Sequence, residues 1–283
     1  MTMRAEQVTD PVAYHAEGPC WSISWGGLRW VDMLAGDVLS LAADGTIERR
    51  HVGSIAAAVR PRVGGGAVIG VERGFALEDP DGNITTLDPL WSGGDLRMNE
   101  GACDPDGRFY CGSMSYERTP GAGALHRLDP DGSSRVVLDS VTISNGLDWS
   151  PDGTRAYYND TETLRVDVFD YVDGELIDRR PFVTIAPGEG RPDGLTVDAE
   201  GAVWVALNKA GTIRRYLPDG SLDGTVEVPV SQTTACTFGG ADLDRLYITT
   251  SRENLEPHEE PAAGSLFAVD VGIGGQAARS FAG

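Results

Sequence analysis

The sequence predicts an all-β fold, a six-bladed β-propeller with four antiparallel strands per blade, on three observations. A hairpin-shaped segment recurs six times, starting near residues 17, 57, 100, 145, 193 and 235, a period of 40 to 48 residues. A second hairpin follows each copy, which makes four strands per repeat. No long amphipathic helical stretch interrupts the series. Four short strands in about 40–50 residues, repeated, is the spacing of blades around a central channel.

The first hairpins read EGPCWSISWGGLRWVDM from Glu17, AAAVRPRVGGGAVIGVE from Ala56, EGACDPDGRFYCGSM from Glu100, NGLDWSPDGTRAYY from Asn145, DGLTVDAEGAVWVAL from Asp193 and ACTFGGADLDRLYITTS from Ala235. The second hairpins run from DVLSLAADGTIERRHV in the first repeat to SLFAVDVGIGGQAARSFAG in the last. Their strands are rich in Val, Ile, Leu, Tyr and Phe, and many of their turns are Asp-Gly, a strong short-range hairpin signal. A propeller closes by pairing its first and last segments. AEQVTDPVAY is placed to become the outer strand of the last blade, residues 235–283. No linker or composition break appears, so residues 1–283 read as a single propeller domain.

Composition narrows the partners. A net charge of −20, from 43 acids against 23 bases, argues against a nucleic acid, which must be held by Lys and Arg. No apolar run reaches membrane length, and the N-terminus lacks a basic start followed by an apolar stretch, so a cytoplasmic protein is expected. Cys20, Cys103, Cys111 and Cys236 lack metal-type spacing and are expected to be reduced and buried, with a Cys103–Cys111 bridge as the minor alternative. Lys209 is the only lysine; its Asn-Lys-Ala-Gly context reads as a solvated turn rather than a nucleophile.

Several motifs have plain readings. The Asp-Pro-Asp-Gly runs at Asp79, Asp104 and Asp129 lack the alternating oxygens and terminal Glu of a helix-flanked calcium loop, and read as turns. Gly64-Gly65-Gly66 precedes no helix, so it is a hairpin turn rather than a phosphate cradle. His15, His51, His126 and His258 are isolated and no Gly-x-Ser-x-Gly elbow exists, which leaves a serine-hydrolase triad unsupported.

The repeat-opening polar residues differ. Glu17, Glu100, Asn145 and Asp193 each precede Gly at equivalent positions in otherwise apolar strands. Packing gives no reason for them, and a closed ring would bring their oxygens together on its axis. Carboxylates so gathered repel unless a cation sits among them. Acids and an amide are hard ligands, suited to Ca²⁺, Mg²⁺ or Mn²⁺ more than to Zn²⁺, and one divalent ion is the economical inference. Arg97 and Asn99 sit just before Glu100, and Glu117 follows the same hairpin. Together they offer a donor fork, an amide and a carboxylate to a polyhydroxylated ligand.

With these segments the chain resembles the senescence-marker-protein/gluconolactonase family over essentially its whole length. The match rests on EGPCW, RMNEGACDPDGRFYCGSM, ISNGLDWSPDG, RPDGLTVDAEGAVWVA, PVSQTTACTFGG and the C-terminal GSLFAVD and SFAG, in that order. The resemblance implies a six-bladed propeller with one divalent cation in the channel and hydrolysis of a sugar-acid lactone to the aldonic acid. It implies Glu17, Asn145 and Asp193 as metal ligands, Asp193 also as the base, and Arg97, Asn99 and Glu117 as substrate contacts. Glu100 fits as a channel-lining residue beside them. Calcium is the first expectation for the metal, with Zn²⁺, Mn²⁺, Mg²⁺ and Fe²⁺ as alternatives. A cation lowers the basicity of a carboxylate it binds, so metal-bound hydroxide rivals Asp193 as the base. Two other readings stand beside this one: a propeller esterase for non-sugar lactones or organophosphates, and a non-catalytic calcium-binding propeller. A monomer or weak homo-oligomer is expected, since a closed propeller needs no partner to fold.

Overall fold

In the computed structural model, which describes residues 2–42, 44–256 and 258–283, the strands form six small sheets arranged as the blades of a propeller. The inner strands are Ala16–Ser22, Ala56–Pro61, Leu96–Cys103, Ser144–Trp149, Arg191–Val197 and Thr233–Gly239, one per predicted repeat. From each, antiparallel neighbours step outward in chain order. The blade faces bury the alternating apolar side chains against the next blade, and Trp30, Trp149 and Trp204 are essentially inaccessible. Tyr110 meets Trp149 edge-on at 5.4 Å between ring centroids, which joins blades three and four.

Every inner strand breaks register at its repeat-opening position. The shifts fall between Glu17 and Cys20, Ala56 and Ala58, Met98 and Gly101, Ser144 and Leu147, Pro192 and Leu195, and Thr233 and Ala235. A bulge inserts an extra residue and re-aims the side chains at that point. The glycines beside the polar residues have a packing role here. A Cβ on Gly146 would lie 2.7 Å from the Asp193 carbonyl oxygen and from the Leu195 nitrogen. One on Gly194 would lie 2.3 Å from the Ala235 Cβ. Glycine lets neighbouring inner strands close up around the axis.

The ring closes as the sequence implied, with an addition. Glu6–Gln7 pairs antiparallel with Phe267–Asp270 as the outer strand of the last blade. Thr2–Arg4 crosses further and pairs parallel with Leu222–Glu227, a fifth strand on blade five. The Asp-Pro-Asp-Gly runs and Gly64-Gly65-Gly66 are hairpin turns, with Gly82, Gly107 and Gly132 at φ of +85°, +77° and +86°. All four cysteines are free and buried.

One element departs from the repeat. The last predicted hairpin, SLFAVDVGIGGQAARSFAG, yields only the strand Phe267–Asp270. Residues 271–283 instead run as a strap across one end of the channel. Gln276 Nε2 donates to the carbonyls of Trp149 and Val197 at 2.9 and 3.0 Å, and an Arg279 guanidinium nitrogen donates to that of Ser150 at 3.0 Å. The Phe281 amide donates to the Pro61 carbonyl and the Ala282 amide to that of Gly107, each at 2.8 Å. The outer strand that this hairpin would have supplied comes from Glu6–Gln7, which leaves the tail free to tie blades two to five together. Phe281 is 1% exposed in the core of blade two. Phe281→Ala should cost about 3–5 kcal/mol by denaturant unfolding; an unchanged midpoint contradicts a structural role for the strap.

Candidate active site

The other end of the channel opens into a cavity of about 450 Å³ whose walls include Glu17, Arg97, Asn99, Asn145 and Asp193. Glu17, Asn145 and Asp193 are 3%, 5% and 6% exposed. The bulges take in Asn145 and Asp193, and Glu17 is the last paired residue before its own, while hydrogen bonds at the strand entrances of blades one and four hold these positions. Asp32, which ends the second strand of blade one, accepts the amides of Tyr14 and His15 at 3.1 and 3.0 Å, just ahead of Glu17. Asp160 does the same in blade four, accepting Thr142 and Ile143 at 2.9 Å, just ahead of Asn145. Asn208 ends the equivalent strand of blade five, and its side chain turns inward.

Asp193 is the most heavily held group. Its Oδ1 accepts from Asn145 Nδ2 at 2.5 Å and its Oδ2 from Asn208 Nδ2 at 3.1 Å. Asn159 Nδ2 donates to its backbone carbonyl at 2.6 Å. Asn145 Nδ2 also donates to Thr161 Oγ1 at 3.1 Å, while Thr161 donates onward to the Pro192 carbonyl at 2.8 Å. Both amide donors on Asp193 fix its plane. Asn145 Oδ1, by contrast, is buried without any hydrogen-bond partner. A buried carbonyl oxygen left bare is costly, and a hydrogen-bond donor or a cation would relieve it; Asn159 Oδ1 is bare in the same way.

The carboxylates tell the same story. Burial, then the nearby charges of Asp193 and Glu100, push the Glu17 carboxyl well above its usual range. Burial pushes Asp193 up to about 7, against the pull of the Asn208 and Asn145 amides and with Glu100 adding to the rise. Two acids that resist ionisation beside an unsatisfied amide oxygen form a donor set that a hard divalent cation completes. Among the described residues no group of three or more His, Cys, Asp and Glu side chains gathers to hold a metal. The fit therefore rests on two acids and an amide.

The remaining expected residues separate. Arg97 is buried, and one of its terminal nitrogens donates to Asn99 Oδ1 at 2.7 Å, the Met98 carbonyl at 3.0 Å and Met33 Sδ at 3.0 Å. Asn99 Nδ2 donates to the Ser144 carbonyl at 2.8 Å. Asn99 is thus engaged at both ends and steadies Arg97. Glu100 is buried, but it does not line this cavity: it pairs with Arg60 at 3.4 Å and accepts the Gly101 amide at 3.2 Å. The bulge between Met98 and Gly101 takes in both Asn99 and Glu100 and parts them, one toward the cavity and one toward Arg60. Glu117 is exposed on the turn after Phe109–Ser115 and lies outside the lining, whereas its neighbour Arg118 lines the rim.

The sequence pattern had not marked four of the contributors. His15 lines the cavity with Nε2 3.8 Å from Glu17 Oε1 and Nδ1 2.7 Å from Ser251 Oγ; burial and then Arg97 lower it to about 3, so it is neutral at pH 7. Asn208, Thr161 and Asn159 hold Asp193 and Asn145. The only signal for them was a polar residue at or just beyond the end of an otherwise apolar second strand.

The chain is similar to known proteins over its whole length. Residues 15–252 match the sequence profile described as SMP-30/Gluconolactonase/LRE-like region. Regucalcin of Xenopus laevis is 33% identical over 297 residues, covering 100% of this chain and 99% of its own. A Bacillus subtilis protein named as a sugar lactone lactonase, YvrE, is 33% identical over 290 residues, covering 99% of each chain. The crystal structure of a calcium-binding protein, regucalcin, from Agrobacterium tumefaciens superposes with a TM-score of 0.93 at 26% identity, over 99% of this chain and 98% of that one.

The raised carboxyls make a signed prediction. In metal-free protein Asp193 keeps its proton in the fold up to about pH 7 but loses it in the unfolded chain near 4. The folded state therefore binds more protons in that window, and stability present below about pH 4 is lost as pH rises to about 7, by a few kcal/mol. Thermal midpoints of chelator-treated protein should fall between pH 5 and pH 8, and added Ca²⁺ should restore more at pH 8. Asp193→Asn should flatten the fall; a pH profile the same in both proteins, unmoved by cation, contradicts the assignment.

Proposed function

The chain belongs to the SMP-30/gluconolactonase/LRE-like family, whose members include lactone-hydrolysing carboxylic ester hydrolases, and we propose that it opens a sugar-acid lactone to the aldonic acid with one divalent cation held by Glu17, Asn145 and Asp193. The observation that carries this reading is the bare Asn145 oxygen, buried beside two carboxyls that resist ionisation. Bound there, a hard cation supplies Lewis acidity toward the lactone carbonyl and stabilises the charge that develops on it. Calcium suits the oxygen donors, and a calcium-binding relative supports it.

The chain's own residues supply the rest. Asp193 takes the proton of the attacking water as the new C–O bond forms, and returns it to the ring oxygen as the lactone C–O bond breaks. The amides of Asn145 and Asn208 hold its plane for both transfers. Arg97 presents its remaining guanidinium N–H groups to the sugar oxygens, and Asn99 acts by positioning Arg97. The exposed position of Glu117 gives no support to a substrate contact there, and Glu100 contributes charge rather than contact. The unbridged, buried cysteines favour a reducing, cytoplasmic setting.

The test is hydrolysis of a panel of sugar lactones and lipophilic esters by metal-stripped protein reconstituted with Ca²⁺, Mg²⁺, Mn²⁺, Zn²⁺ or Fe²⁺ in turn. Sugar lactones should turn over only with metal, and Asp193→Ala should lower kcat by at least about 10³-fold. Near-normal kcat in Asp193→Ala at full metal content removes its role. Turnover of the lipophilic esters alone replaces the sugar reading.

A further inference from the structure

We infer that the lactone this protein opens carries a second, acidic group, a carboxylate or a phosphate, received by Arg118 and Lys209 at the mouth of the cavity. The inference rests on the lactonase reading above and narrows its substrate class.

The mouth holds cations without partners. Arg118 and the sole lysine, Lys209, line the same cavity as Asp193, from blades three and five. Among the described residues neither side chain has a carboxylate partner. The chain has 43 acids for 23 bases, and most of its arginines are in ion pairs, so an unpaired cation is the less common case. Arg118 and Lys209 join Arg97, which also lacks a carboxylate partner among the described residues, at one opening.

Both also stand where a long side chain is disfavoured. Arg118 has φ of +53° and Lys209 of +70°, in the left-handed region that glycine occupies without strain. The turns that impose this are hydrogen-bonded: the Arg118 amide donates to the Ser115 carbonyl at 3.0 Å, and the Ala210 amide to that of Leu207 at 3.1 Å. Strain of this kind persists at ligand clamps, where a side chain is needed at a fixed place.

The surrounding charge points the same way. Arg97 and Arg191 are the other cations of the lining, against Glu17, Asp193 and Glu253. Arg191 is tied to Glu162, and Glu253 lies 3.8 Å from His15 Nδ1. Arg118 and Arg97 share the lining, so like charges are gathered there. Once a cation occupies the two inner carboxylates, the opening is positive in a chain of net charge −20. An anion is the missing partner. A guanidinium fork and an ammonium both suit a carboxylate or a phosphate. A cavity of about 450 Å³ has room for a sugar ring with its carbonyl at Asp193 and an acidic substituent at the rim.

The experiment compares D-glucono-1,5-lactone with D-glucaro-1,4-lactone and 6-phospho-D-glucono-1,5-lactone, in the native protein, Arg118→Gly and Lys209→Gly. Glycine relieves the left-handed backbone, so both variants should fold. At least one acidic lactone should exceed the neutral one by about tenfold in kcat/KM, and the better of them identifies the anion. Each variant should lower that value about tenfold through KM and leave the neutral lactone within about twofold. Preference for the neutral lactone, or equal losses on both kinds, overturns the inference. If no lactone turns over, the lactonase reading fails by itself, and calorimetric binding of glucarate, 6-phosphogluconate and gluconate decides. Tighter binding of either diacid, weakened in both variants, sustains the subsite; equal affinities overturn it.

Discussion

Several inner strands must satisfy two demands that conflict. Each has to pair with its neighbour to hold the blade together, and those of blades one, three, four and five also carry polar atoms to the cavity. The register shift at the opening of all six inner strands resolves this. Pairing is interrupted for one or two residues, and those residues are re-aimed. The cost is close approach of adjacent inner strands, which the glycines at 146 and 194 permit. Site and fold are therefore one construction: whatever fixes the bulges also fixes Asn145 and Asp193 at the cavity.

That construction concentrates like charge where water is scarce. Glu17 and Asp193 face each other across a buried site, with Glu100 close behind. Arg60 offsets Glu100 but does not reach the other two. A fold selected only for stability would fill these positions with apolar residues, as blade two does with Ala57. Blade six places Thr234 there instead, and its hydroxyl donates to the Ala16 carbonyl to join the last blade to the first. The ring is thus lopsided: acids and an amide on blades one, four and five, and structural residues opposite. A cation held on one side leaves its other side open to the cavity.

The propeller was legible because its period is carried by turns and strand composition, and both are local. Glu17, Asn145 and Asp193 stood out in the sequence because each opens a repeat just before Gly, and the structure gathers all three at one cavity. Glu100 shared the spelling but turns to Arg60, since its bulge takes in Asn99 as well and the two residues part. Glu117 had only a loop context, and loop direction depends on the turn: the left-handed Arg118 swings the chain so that position 118 lines the rim. The C-terminal segment kept the composition of a hairpin, but its partner strand had already come from Glu6–Gln7, a choice made by ring closure across the whole chain. Asn208 and Thr161 were hidden as well. Asn208 reaches Asp193 across its own blade and Thr161 reaches the Pro192 carbonyl of the next, and a polar residue at a strand end does not by itself show either contact.

The central claim is that Glu17, Asn145 and Asp193 hold one hard cation between them. Crystals of the chelator-treated protein soaked in Mn²⁺ and measured for anomalous scattering test this most directly. The account predicts a single strong peak in the cavity, within about 2.0–2.6 Å of carboxylate oxygens of Glu17 and Asp193 and of Asn145 Oδ1. A cavity without a peak, or manganese bound only at surface carboxylates, would contradict it.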